Sequence, residues 1–186
     1  MNIFHLPIES SQNTFKLDSL TGSLLSFNYQ TVKINNSKFP DKLIKAIEEC
    51  NNPYKLNYEI SKITNSIDES PNNCYISLRI IKQLTKHNFF IGYKSASLIC
   101  PKRFNSTKEA IEYFRRKTQF EDEDTQCLPR SLFAAASSKS FDKNGVIFIG
   151  VFFPSNSMHA WIIENREQPD ICDTIWTNFQ PVAAIC

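Results

Sequence analysis

The run Val146-Ile147-Phe148-Ile149-Gly150-Val151-Phe152-Phe153 constrains this chain more than any other stretch. An unbroken apolar segment of that length leaves no face for water. It reads as a strand covered on both sides, which requires a layer of structure above and below it. It falls far short of the roughly 18 to 20 apolar residues that cross a bilayer. Met1 to Pro7 lacks the basic start and long apolar stretch of a signal peptide, so the expectation is a soluble, cytoplasmic protein without a membrane span. At 186 residues and 41% hydrophobic, the chain has material for a core, as one domain or two small ones. Lys+Arg number 21 against 19 Asp+Glu, which gives no basic surplus to neutralise phosphates, and a nucleic-acid partner is disfavoured. The six cysteines form no Cys-x-x-Cys pair and the chain has only three histidines, so neither a metal site nor a cofactor is expected. With no oxidising compartment implied, most of the thiols read as small buried apolar groups.

The first half reads as strands and then helices. Phe15 to Asp18 and Leu24 to Phe27 flank a Leu20-Thr21-Gly22 turn, and Thr31 to Ile34 offers a third strand, making a small antiparallel meander. Pro40-Asp41 opens a helix with Leu43, Ile44 and Ile47 on one face, closed by Asn51-Asn52-Pro53. Tyr58, Ile60, Ile63 and Ile67 mark a second helix. Ile76, Ile80, Ile81 and Leu84 form an apolar stripe along a third, Tyr75 to Lys86. The domain boundary is placed between Lys94 and Asn105, giving units at 1–93 and 94–186.

The second half begins with Ser106-Thr107-Lys108-Glu109, a capping-box spacing ahead of a helix from Ala110 to Thr118. An acidic run, Glu121 to Asp124, precedes Thr125-Gln126-Cys127-Leu128-Pro129-Arg130-Ser131-Leu132. Thr125 can cap the helix that follows. Pro129 is tolerated only in its first turn, so Cys127 must sit at or beside the helix start. There the unpaired N–H groups and the helix dipole favour thiolate, the form that acts as a nucleophile. After the apolar strand, His159 to Glu164 and Ile171 to Trp176 read as two further strands.

A thiolate nucleophile needs a base within hydrogen-bond reach, and His159 is the candidate. Alternation puts His159, Trp161 and Ile163 on one face of their strand. A third group should orient the imidazole. If the following hairpin is centred on Arg166, His159 faces Asp173. A two-residue turn at Glu164-Asn165 would instead bring Asp170 opposite, at the expense of running Pro169 through a strand. Asp173 is favoured and Asp170 is the alternative.

Cysteine on a helix start, histidine on one strand and aspartate on the next is the order of papain-like and transglutaminase-like enzymes. Cys127-Leu128-Pro129-Arg130-Ser131-Leu132, Ile149-Gly150-Val151, His159-Ala160-Trp161 and Asp173 together resemble the leader peptidases of lasso-peptide biosynthesis, over about residues 120–176. Phe133-Ala134-Ala135-Ala136 stands where that family has an aliphatic, Leu-rich continuation, and the stretch between His and Asp is about two residues longer here. The resemblance implies an α+β protein with two parts: a winged-helix-like leader-recognition domain of three strands and three helices at 1–93, and a papain/transglutaminase-like cysteine protease domain at 94–186. It implies hydrolysis between the leader and core of a precursor peptide, freeing the core for a separate ATP-dependent, asparagine-synthetase-like cyclase. Cys127 would attack, His159 would carry the proton and Asp173 would orient the ring. The Cys127 backbone N–H, with the Gln126 side chain, would face the oxyanion. For leader binding, Thr31, Val32, Lys33 and Ile34 offer an exposed sheet edge, and Ile80 and Leu84 an apolar wall beside it. A transglutaminase-like acyltransferase with the same triad and a non-catalytic leader-binding chaperone are the competing expectations.

Overall fold

The apolar run forms a strand with sheet neighbours on both sides and helices over both faces. The computed structural model describes residues 3–6, 13–17, 24–28, 40–50, 80–81, 98, 100, 102–118, 126–152, 155 and 157–186. In chain order the elements are β1 (Ile3–His5), β2 (Asn13–Leu17), β3 (Leu24–Asn28), α1 (Asp41–Cys50), α2 (Thr107–Thr118), α3 (Cys127–Ser137), α4 (Phe141–Asn144), β4 (Gly145–Phe152), β5 (Ser157–Glu164), a 3-10 turn at Trp176–Asn178, and β6 (Gln180–Ile185). Strands β1, β6, β4 and β5 form, in that order, an antiparallel sheet of four, and β2 and β3 form a separate hairpin.

Alternation along the central strands divides the core in two. Ile147, Ile149, Ala160, Ile162, Ala183 and Ile185 face α2 and α3. Val146, Phe148, Trp161, Ile163 and Ala184 face Leu43 and Ala46 of α1, together with Leu6 and Trp176. Helix α3 is buried from Pro129 to Ser137, as expected of a helix that is apolar or small-sided all round. Its Ser137 carbonyl accepts the N–H groups of Arg103 and Phe104, which satisfies the far end of the helix.

Two termini show why these segments become helices. In α1 the Pro40 carbonyl accepts the N–H groups of Leu43 and Ile44, with proline on the side where its missing donor costs nothing. In α2 the Glu109 N–H donates to Ser106 Oγ at 3.3 Å, while Glu109 Oε2 accepts the Asn105 N–H at 2.9 Å. This is a capping box whose return bond lands one residue earlier than expected, and the helix starts at Thr107 rather than Ala110. Glu164, at the end of β5, adds a buried carboxylate that accepts the Thr107 hydroxyl at 2.5 Å, placing negative charge at the α2 N-terminus.

The segment after β5 differs from expectation. Ile171 to Trp176 is not a strand. The chain reverses at Asn165 and Arg166, with φ of 52° and 69°, and Glu164 and Glu167 exchange both backbone hydrogen bonds. This is the two-residue turn whose twist matches flanking strands. It is neither centred on Arg166 nor placed at Glu164-Asn165, and pairing ends with that one bridge. The chain then turns through residues 168–175 and returns as β6 beside β4. Local sequence does not mark the strands Ile3–His5 and Gln180–Ile185, the first being three residues long and the second containing Pro181.

Gly150 is required where it stands. A Cβ there would lie 2.7 Å from the Trp161 ring and 2.9 Å from the Gln180 carbonyl oxygen. The β4–β6 register shifts at this point, leaving Val182 as the extra residue of a bulge.

β1, α1 and the helical segment at Ile81 share sheet and core with residues 94–186. β1 pairs with β6, Leu43 and Ala46 belong to one core cluster with Trp161, and Ile81 belongs to another with Phe114 and Phe133. These contacts among the described residues cross the position 93/94 expected as the boundary. The strand Thr31–Ile34, the helix around Tyr58–Ile67 and the acidic run Glu121–Asp124 lie outside the described residues; of the helix Tyr75–Lys86, Ile80 and Ile81 are described and are helical. Among the described residues, no helix is long and apolar enough to cross a membrane.

Leu43→Ala is expected to destabilise the whole chain by about 2 to 5 kcal/mol. Both tryptophans share the Leu43 cluster, so their fluorescence transition in urea should move to lower denaturant. A transition left in place would mean that α1 belongs to an independent unit.

Candidate active site

Helix α3 begins where Pro129 requires. Gln126 occupies the N-cap position and its side chain makes no capping bond; Thr125, the expected cap, lies outside the described residues. The first bond of the helix runs from the Arg130 N–H to the Gln126 carbonyl at 2.9 Å. The N–H groups of Cys127 and Leu128 thus have no partner within the helix, and Pro129 has none to offer. The Ser131 hydroxyl donates to the Cys127 carbonyl at 2.9 Å and lies 3.4 Å from the Ala160 carbonyl, which ties the helix start to β5.

Cys127 comes to β5 from the start of α3, His159 projects from β5 itself, and the exposed edge of that strand lets them meet. β5 pairs only with β4 among the described strands, which leaves alternate N–H groups facing away from the sheet. One of these, from Ala160, lies close enough to the Cys127 sulfur to favour its thiolate, as does the His159 ring. The other side of the imidazole is fixed, with Nε2 2.7 Å from Asp173 Oδ2 and both groups buried. Nδ1 is therefore the nitrogen that faces the thiol. Asp173 reaches the ring from a turn, its N–H donating to the Asp170 carbonyl at 2.9 Å. His159 is also held between rings, with Phe179 at 4.9 Å and Trp161 at 6.2 Å between centroids. The Trp161 ring lies over Gly150, the cross-strand partner of His159.

The electrostatics follow from these contacts. Burial pushes the Cys127 thiol up, but the hydrogen bond and charge of His159, the Ala160 N–H and the charge of Arg130 outweigh it and hold the thiol below its ordinary value. Burial pushes the His159 imidazole down, and the hydrogen bonds and charges of Asp173 and Cys127 reverse that, lifting it to about 9. The two shifts are complementary and favour thiolate beside imidazolium.

Asp170 does not approach His159 in the way the alternative register required. It is buried and saturated by arginines: Arg115 donates from Nε to Oδ1 at 2.9 Å and from Nη2 to Oδ2 at 3.0 Å, and Arg130 Nε lies 2.7 Å from Oδ2. These partners, 40 and 55 residues away in sequence, left no local signal. Nor did Phe179.

A cleft of about 470 Å³ opens beside the site, lined among others by Met158, His159, Asp173, Ile175, Phe179 and Arg130. Met158 and Ile175 are exposed apolar side chains there. Cys172 also lines the cleft, and Cys100, which is buried, Cys127, Cys172 and Cys186 are free thiols. Among the described residues, no cluster of three or more His, Cys, Asp or Glu is placed to hold a metal ion.

Of the expected site residues, the structure brings together Cys127, His159 and Asp173. Gln126 is buried immediately before the thiol. Ile80 is half-buried in a helical segment beside the core residue Ile81, while Thr31, Val32, Lys33, Ile34 and Leu84 lie outside the described residues. Comparison with family models, curated proteins and solved structures finds no match to this chain.

In the folded chain His159 keeps its proton to about pH 9, against 6.5 for the free side chain. Its contribution to stability is therefore complete below pH 6.5 and is lost as pH rises toward 9. Asp173→Asn should bring the His159 titration down by about one unit or more, followed by NMR of the ring protons. An unchanged titration would mean that Asp173 does not govern the imidazole.

Proposed function

We propose that this protein is a cysteine peptidase that removes the leader from a ribosomally made, lasso-type precursor peptide. The observation that carries the reading is the continuous arrangement of Cys127, His159 and Asp173, with the thiol lowered and the imidazole raised. A buried helix offers its N-terminal thiol at a strand edge, beside a cleft of a size that suits a peptide segment. On this reading the Cys127 thiolate attacks the scissile carbonyl. The imidazolium, fixed by Asp173, gives its proton to the leaving amine, and the ring then activates the water that hydrolyses the thioester. The N–H groups at the α3 start, which the helix does not use, are available as donors to the developing oxyanion.

The papain/transglutaminase-like protease fold, the leader-recognition role of residues 1–93, a cytoplasmic location and the cyclase partner belong to the same proposal. They rest on the motif resemblance. An acyltransferase would share every step up to the thioester and differ in the nucleophile that resolves it.

The test is turnover of a library of fluorogenic peptides by the full chain, with product masses read in the presence and absence of added amine. Cleavage to free acids is expected. Cys127→Ala should abolish turnover while leaving the tryptophan unfolding transition near its original position, since the change removes one half-buried sulfur. Turnover retained in Cys127→Ala would overturn the peptidase reading, and amide products formed in place of acids would assign an acyltransferase.

A further inference from the structure

Asp170 is a buried carboxylate that the reaction does not use, and its contacts join the elements that the reaction must hold together. Arg130 stands three residues after Cys127 on α3, and its Nε is 2.7 Å from Asp170. Arg115, in the last turn of α2, grips the same carboxylate with two parallel bonds, the geometry that gives arginine its specificity. Asp170 accepts the Asp173 N–H through its backbone carbonyl at 2.9 Å, and its own N–H is held by the Gln168 side chain. One residue thus connects the helix bearing the nucleophile, the neighbouring helix and the turn bearing Asp173.

We propose that Asp170 is the positioning residue of this site: by gripping Arg130 and Arg115 it locks the turn carrying Asp173 against the start of α3, and so sets the contact between Cys127 and His159. The proposal rests on reading Cys127, His159 and Asp173 as one reacting unit. No strand pairing among the described residues holds residues 168–175 in place, because the pairing after β5 ends at Glu167. Asp170 is 6% exposed and Arg130 5% exposed. Breaking the pair leaves a buried charge uncompensated, which makes the clamp firm and its loss costly.

Positioning and plain electrostatics predict opposite signs. The charged groups acting on Cys127 are His159 from β5 and Arg130 from its own helix. Removing the Asp170 charge while the geometry stays put would leave Arg130 less neutralised and favour the thiolate further. Releasing the clamp would separate Cys127 from the imidazolium and raise the thiol instead.

The measurement is the rate of iodoacetamide alkylation of Cys127 against pH, by mass spectrometry on the full chain, which requires no substrate. Wild type should show an alkylation limb below that of an ordinary thiol. In Asp170→Asn the limb should move up by about one pH unit or more, and in Arg130→Lys, which keeps the charge but loses the planar fork, by part of that. A limb that stays or moves down in folded Asp170→Asn would overturn the proposal. Should that variant not fold, Arg130→Lys decides by the same criterion. A wild-type limb in the ordinary thiol range would be a different failure, contradicting the nucleophile reading and with it the contact that Asp170 is said to set.

Discussion

The burial of helix α3 is the constraint on which the rest of the site depends. Leu132, Phe133 and Ala134 to Ala136 are all 2% exposed or less, and three successive alanines give the helix thin sides that let α2 and the sheet approach closely. Such a helix can meet a substrate only at an end. Its C-terminus is closed by Arg103 and Phe104, so the open end is the start, where Cys127 stands. Pro129 makes that start abrupt, and the Ser131 hydroxyl fastens it to β5 at the point where the edge strand presents His159.

The site is also balanced in charge. Two arginines and an imidazolium face two aspartates and a thiolate, a set whose formal charges sum to zero. In buried surroundings any unbalanced subset would cost several kcal/mol per ion. The proposed reaction preserves the balance. Attack moves the negative charge from sulfur to the oxyanion, and collapse to the thioester sends the imidazole proton out with the leaving amine, so the total is unchanged at each stage. Arg130 serves both halves of this arrangement, as a partner of Asp170 and as a positive charge near the thiol.

Much of the site was legible because it depends on local rules. Proline inside a helical pattern located the start of α3, an unbroken apolar run located the central strand, and alternation placed His159 with Trp161. Asp173 was reached by pairing arithmetic that the structure replaces: the hairpin is shorter, and a turn brings the same carboxylate to the same ring. Two features were beyond such reasoning. The clamp on Asp170 joins residues far apart in sequence, and nothing in local periodicity links an arginine at the end of one helix to a carboxylate after a distant strand. Ile3–His5, at the edge of the sheet, and Gln180–Ile185, beside it, are distant in sequence, and the pairing of β1 with β6 and of β6 with β4 is a tertiary property. For the same reason the N-terminal elements read as a separate unit, although Leu43 and Ile81 close the core around the site's own strands and helices.

The central claim is that Cys127 and His159 share a proton so that thiolate and imidazolium coexist. The most direct measurement is the ultraviolet thiolate absorbance of wild type minus Cys127→Ser, recorded across pH alongside NMR of the His159 ring. The account predicts that the thiolate band develops while the ring is still protonated, giving a window of pH that closes near 9. A band that grows in only as the imidazole loses its proton would contradict it.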